Sequence, residues 1–333
     1  MQVHELILNE ERGVSLTALV QSVGGEFGRV VKRPAILILP GGGYAHCSDR
    51  EAYPVAFAYA KAGYQAFILR YSTGEHKTWP NPLNDYEQAM ELIRSKTDEW
   101  HVFPDKIAVL GFSAGGHLAG CAATISKNRP NAAILGYAVL AQEVADVCQS
   151  GMPVPIDEVD QDTCPCFLFH TRDDQIVPVR DAIEFQRALL ENHISFESHI
   201  YAYGEHGFST GEKSIQNGEF CSRVPNWVQD SIAWLTDIFG EFGDGRLEAP
   251  ACPPRTNADR EPHLSVDCTL AHLKRQTGAA SEILEPLFQE ISLPEHSPLF
   301  YYMLLRTILR YRNIPADKIG EIDQALRSIP NQM

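Results

Sequence analysis

Gly111-Phe112-Ser113-Ala114-Gly115 sets a serine between two glycines, each two residues away. That spacing suits a nucleophile on a sharp strand-to-helix turn, where a side chain two positions off would crowd the backbone. A serine hydroxyl is a weak nucleophile alone, so the chemistry calls for a base and for a group that orients the base. His206, in the loop Gly204-Glu205-His206-Gly207-Phe208, is the candidate base. Asp173 and Asp174, in Thr171-Arg172-Asp173-Asp174-Gln175-Ile176-Val177-Pro178, are both candidates to orient it. Acyl transfer also needs N–H donors aimed at the developing oxyanion. Gly42 and Gly43 of Pro40-Gly41-Gly42-Gly43-Tyr44, with the N–H of Ala114, are the expected donors. Chemistry of this kind requires no cofactor. Plainer readings exist for the same stretches: a glycine-rich turn that holds a phosphate at a helix N-terminus, and a flexible connection.

The elements around these residues favour the serine reading. Ala35–Leu39, Tyr64–Leu69 (but for Gln65), Ile107–Leu110 (after a Pro104-Asp105 turn), Ala132–Leu140 and Phe167–Phe169 are apolar runs, and Phe196–Tyr203 alternates. Continuous apolar runs suit strands buried on both faces, the condition of a parallel sheet. Leu83, Tyr86, Met90 and Ile93 share one helical face, a helix follows Ser113, and Ala182–Leu190 and Trp227–Phe239 predict two more. Strands alternating with helices predict an α/β fold with a mostly parallel, doubly wound sheet. Glu5–Leu8 and Ser15–Gln21 predict an antiparallel edge hairpin, and residues 140–166 show no convincing helix. Ser113, the Asp173-Asp174 pair and His206 each stand at the end of a predicted strand.

Residues 243–262, with Gly243, Gly245 and four prolines among charges, read as a linker. It divides an expected catalytic segment, 1–242, from an expected small all-helical appendage, 263–333. In the appendage, Leu270/Leu273, Ile283/Leu284/Leu287, Leu299–Leu309 and Ile319/Ile322/Leu326 fall at helical spacing. Its apolar faces are expected either to dock within the chain or to pair with a second copy as a homodimer.

The chain carries 43 acidic against 28 basic residues, a formal net charge of -15. That balance opposes a nucleic-acid partner or an anionic membrane surface, both of which need a basic patch. No basic stretch followed by an apolar run opens the sequence, so a cytoplasmic location and eight reduced cysteines are expected. Cys164-Pro165-Cys166 lacks a second pair to complete a metal site.

Ile36–Tyr44, Ser48-Asp49-Arg50-Glu51, Gly111–His117, Asp174–Pro178 and His206-Gly207-Phe208 resemble the acetyl-xylan-esterase-like branch of the α/β-hydrolases, related to the hormone-sensitive-lipase-type esterases. The H-G-G-G of those esterases stands here as Pro40-Gly41-Gly42-Gly43. The similarity spans about residues 5–240 and implies the chain order nucleophile, acid, histidine. It implies that Asp174, the aspartate of D-x-x-V-P, is the acid, and that the activity is removal of acetyl or other short acyl groups from sugars and small esters. Tyr44, His46 and Phe208 flank the site loops and are expected to line the substrate pocket, whereas His117, His170, Trp227 and Trp234 are expected to be structural. Two other functions compete: a peptidase related to the prolyl oligopeptidases, which lacks support from any propeller-like repeat, and a catalytically silent binding module.

Overall fold

A computed structural model describes residues 1–216, 218–242, 248–291 and 298–332. The chain divides into two compact units, Met1–Pro254 and Arg255–Met333.

The first unit is built on one eight-stranded sheet in the order β1-β2-β4-β3-β5-β6-β7-β8. Its strands are β1 (Gln2–Asn9), β2 (Val14–Val20), β3 (Arg33–Leu39), β4 (Gln65–Arg70), β5 (Val102–Phe112), β6 (Ala132–Gly136), β7 (Cys166–Thr171) and β8 (Phe196–Tyr201). The β1–β2 hairpin and the β2–β4 pair are antiparallel, and every pairing from β4 through β8 is parallel. The helices between them are α1 (Tyr53–Lys61), α2 (Asn81–Ser95), α3 (Ser113–Thr124), α4 (Gln142–Cys148), α5 (Arg180–Glu191) and α6 (Asn226–Phe239).

The apolar runs are continuous because successive residues serve different cores. Ala35, Leu37 and Leu39 of β3, Ile107 and Val109 of β5, and Ala133 and Leu135 of β6 pack into one layer. Their neighbours Ile36, Ile38, Ala108, Leu110, Ala132 and Ile134 pack into the other, with Trp227 and Trp234 of α6. Side chains that alternate across a sheet covered on both faces give this division.

Two local expectations are corrected. The Pro104-Asp105 turn does not precede β5 but bulges within it: Arg33 pairs with Val102 and Ala35 with Ile107, so residues 103–106 oppose Pro34 alone. The segment 140–166 does contain a helix, α4. It has seven residues and buries only Ala145, with Val147 85% exposed, so it leaves no periodic apolar face to read.

The second unit has its own core, in which Leu264, Val266, Leu273, Leu284, Leu305, Ile308 and Leu326 are buried together. It comprises the helices α7 (Leu270–Leu273), α8 (Ala279–Glu290), α9 (Pro298–Tyr301), α10 (Leu305–Tyr311) and α11 (Ala316–Leu326). Arg306 grips both carboxylate oxygens of Asp267 at 2.6 and 2.9 Å. Of the expected linker, residues 243–247 (Gly243 and Gly245 among them) lie outside the described residues. Ala251 and Cys252 donate to the Asp237 carbonyl of the first unit, and Asp259 binds Thr269 within the second. Among the described residues no helix is long and apolar enough to cross a membrane.

Candidate active site

β5 delivers the chain extended as far as Phe112, and Ser113 then takes φ +52° to open α3 directly. The two glycines are sterically required. A Cβ on Gly111 would stand 2.1 Å from the Gly115 carbonyl oxygen, and one on Gly115 would stand 2.1 Å from that of Leu39. Ser113 therefore sits on a backbone conformation that L-residues rarely adopt, held by packing from three elements.

His206 reaches this serine from the loop after β8: its Nε2 lies 2.9 Å from Ser113 Oγ. Its Nδ1 lies 2.7 Å from Asp174 Oδ2, on the loop after β7. The carboxylate accepts from Nδ1–H, so Nε2 is left as the acceptor for the serine hydroxyl. Asp174 Oδ1 takes the N–H groups of Ile176 and Val177 at 2.8 and 2.9 Å. Burial raises the pKa of this carboxyl, but the bond and charge of His206 and the two backbone N–H groups outweigh it and hold the value below the usual carboxylate range. Asp173, the rival acid, turns instead to the N–H of Gly204 at 2.9 Å, where it anchors the start of the histidine loop.

The glycine-rich turn after β3 lies against Ser113, since a Cβ on Gly41 would come within 3.1 Å of its Cβ. Gly42 has φ +128°, and a Cβ there would meet the His46 carbonyl oxygen at 2.2 Å; Gly43 follows at φ +61°. The N–H of Gly41 is occupied by Glu51 Oε2 at 2.8 Å. Those of Gly42 and Gly43 donate to no group among the described residues. Ala114 lies in the first turn of α3, where backbone N–H groups have no intrahelical acceptor.

The three residues expected to line the pocket divide. His46 is exposed. Tyr44 and Phe208 are 1% and 0% exposed and offer no surface to a ligand, which corrects that expectation. Tyr44 has φ +58° and buries its ring, donating from its hydroxyl to His117 Nδ1 at 2.8 Å. Phe208 packs on Tyr137 with ring centres 4.6 Å apart. His117 completes its pairing by donating from Nε2 to the Pro153 carbonyl at 2.8 Å, and burial lowers its pKa to about 4. His170 is buried in β7, with Nδ1 accepting the Thr171 N–H at 2.9 Å.

Two residues at the site carried no role in the sequence reading. Glu51 is 4% exposed and Tyr137 is fully buried. They touch each other, with Tyr137 Oη 2.5 Å from Glu51 Oε1, and the Tyr137 ring meets His206 edge-on at 4.9 Å. A tyrosine closing an apolar strand, level with the ends of the neighbouring strands, was the available signal.

Comparison with known proteins places this site in context. A family model described as BD-FAE matches residues 28–150. The chain is similar to endo-1,4-beta-xylanase B of Butyrivibrio fibrisolvens, 31% identical over 58% of this chain and 34% of that protein. It is similar also to an acetylxylan esterase of Xylanibacter ruminicola, 28% identical over 59% of this chain and 45% of that one. The chain thus spans less than half the length of either curated relative. Among solved structures it matches MGS-M1, an alpha/beta hydrolase enzyme from a Medee basin deep-sea metagenome library, with a TM-score of 0.67. That match covers 72% of this chain and 98% of the other at 42% identity. Likeness of that extent, on a mostly parallel sheet with an antiparallel edge hairpin, makes the chain a member of the α/β-hydrolase family.

Proposed function

We propose that residues 1–254 form a serine carboxylesterase that removes short acyl groups, acetyl above all, from sugars or xylo-oligosaccharides. The observation that carries this reading is the hydrogen-bonded relay Ser113–His206–Asp174, at 2.9 and 2.7 Å. The acetyl and sugar preference is supported by the name of the Xylanibacter relative.

In this reading, the Ser113 hydroxyl passes its proton to His206 Nε2 as Oγ attacks the acyl carbonyl. The oxyanion is received by the N–H groups of Gly42, Gly43 and Ala114. Asp174 fixes the imidazole in the Nδ1–H tautomer and stabilises the imidazolium. His206 returns the proton to the leaving sugar hydroxyl. Water, deprotonated by the same imidazole, then attacks the acyl-enzyme and frees the acid. His46, exposed on the glycine-rich turn, is available to the alcohol portion of the substrate.

The test compares wild type with Ser113→Ala on p-nitrophenyl esters from acetate to octanoate, followed by acetylated xylo-oligosaccharides. Activity falling steeply with acyl length and abolished by the substitution is the expected result. Equal activity in both proteins would remove Ser113 from the mechanism, and cleavage of aminoacyl amides in preference to esters would favour a peptidase.

A further inference from the structure

Glu51 is a buried carboxylate that forms no salt bridge among the described residues. Burying such a group without a cation is unfavourable unless its oxygens are well bonded. Its two oxygens are bonded to two different loops of the site. Oε2 accepts the N–H of Gly41 at 2.8 Å, the residue that starts the glycine-rich turn. Oε1 accepts the hydroxyl of Tyr137 at 2.5 Å. The direction of that second bond is fixed, because Tyr137 Oη itself accepts the Ser209 N–H at 3.0 Å and has one proton to give.

Ser209 closes the circuit. Its hydroxyl donates to the carbonyl of Arg50, the residue before Glu51, and its own carbonyl accepts from Trp227 Nε1 at 2.9 Å. Ser209 lies three residues beyond His206, and its φ of +51° needs external bonds to hold it. Gly41 is gripped on its other sides too: a Cβ there would stand 2.8 Å from both Glu51 Oε2 and the Phe112 carbonyl oxygen. The carboxylate, the donor turn and the nucleophile thus converge on one Cα.

We propose that Glu51 is a positioning residue for acyl transfer, its carboxylate locking both the turn that presents Gly42 and Gly43 and, through Tyr137 and Ser209, the loop that carries His206. This rests on the esterase reading of the site. Burial pushes the Glu51 carboxyl upward in pKa, while the bonds from Tyr137 and Gly41 and the charge of His206 pull it back. Glutamine at this position keeps the shape but replaces the charge-assisted bond to Gly41 by a weaker neutral one and reverses the bond to Tyr137, whose hydroxyl then faces two donors and loses its acceptor. Phenylalanine at 137 removes the link to Ser209 and leaves the Gly41 bond intact.

The test measures Glu51→Gln, Tyr137→Phe and the double variant against wild type. Steady-state constants on p-nitrophenyl acetate are normalised to active sites titrated with a fluorophosphonate. Amide hydrogen exchange is followed in peptides spanning 40–46 and 204–210. Displacing the donors or the base by a fraction of an ångström is expected to lower kcat by about 10- to 100-fold per titrated site in Glu51→Gln, with KM within about threefold. Exchange should accelerate in both segments for Glu51→Gln and in 204–210 alone for Tyr137→Phe, with losses in the double variant less than multiplicative. Wild-type kcat per titrated site, with only a lower Tm or fewer titratable sites, would reduce Glu51 to a structural role and overturn the proposal. Unchanged exchange in both segments of Glu51→Gln would overturn it as well. If wild type cleaves no ester yet exchange responds as described, the hold of Glu51 on the two loops stands and the esterase reading is what fails.

Discussion

Asp174 Oδ2 lies 2.7 Å from His206 Nδ1, while Asp173, one residue earlier, spends its carboxylate on the Gly204 N–H. Two adjacent aspartates thus serve the same histidine differently: one touches the ring, and the other holds the start of its loop.

Their substitutions should separate accordingly. Asp174→Asn replaces the acceptor with an amide that can trap the wrong imidazole tautomer, and kcat should fall by about 10⁴-fold. Asp173→Asn keeps an oxygen for Gly204 and should retain kcat/KM within about tenfold. Ester hydrolysis by the two variants at one pH decides the matter; comparable losses would make the pair a single unit.

His117 gives a pH dependence of stability. Its pKa is lowered to about 4 by burial, so between about pH 6.5 and that value the unfolded chain binds a proton that the native state refuses. Stability from this group is intact above about pH 6.5 and declines as pH falls, by on the order of 3 kcal/mol across the window. Denaturant titrations from pH 8 to 4 should show wild type losing stability relative to His117→Gln over that interval. Parallel curves would mean that His117 takes up its proton in the native state.

Glycines of the two site turns should fail in different ways. Gly115→Ala drives a methyl to 2.1 Å from a β3 carbonyl inside the sheet, and the protein should be destabilised by about 3 kcal/mol or more. Gly42→Ala meets the His46 backbone carbonyl oxygen at 2.2 Å and a φ of +128° that alanine rarely adopts, so the turn itself must move. It should destabilise the protein less than Gly115→Ala, whose clash lies against a strand of the sheet, but lose about 100-fold in kcat as the turn moves. Melting curves beside kinetics distinguish the two, and an inactive Gly42→Ala that is also unfolded would sink the contrast.

Residues 255–333 carry a core of their own. Expressed alone, this segment should show helical circular dichroism and a cooperative thermal transition, and Leu309→Ala should remove about 2–5 kcal/mol of its stability. A featureless melt would show that this core cannot stand unaided.

Much of the fold was legible because burial on both faces writes itself as uninterrupted apolar runs, as in Ile36–Leu39 and Ala132–Leu135. The elbow was legible because Gly111 and Gly115 answer a steric demand that no other residue meets. What the sequence hid was direction. Nothing in Asp173-Asp174 says which carboxylate faces the ring; the family resemblance, not the residues, favoured Asp174. Tyr44 and Phe208 flank the right loops but turn inward, because backbone angles rather than proximity along the chain decide where a ring points. Glu51 stands in the family-like stretch Ser48-Asp49-Arg50-Glu51, but that stretch gives it no role until the fold brings Gly41 and Tyr137 to either oxygen.

Tyr44, Ser113, Tyr137 and Ser209 all adopt positive φ without being glycine. Each such angle stores on the order of 1 kcal/mol or more of local strain. Glycine at any of these positions would relieve the angle but cost more than it returns: Tyr137→Gly would empty a fully buried ring site and strand Glu51 Oε1, and Ser209→Gly would lose the bond to the Arg50 carbonyl. Robustness and catalytic competence draw on the same four backbone angles, so thermostable variants of this chain that still work should carry their changes elsewhere.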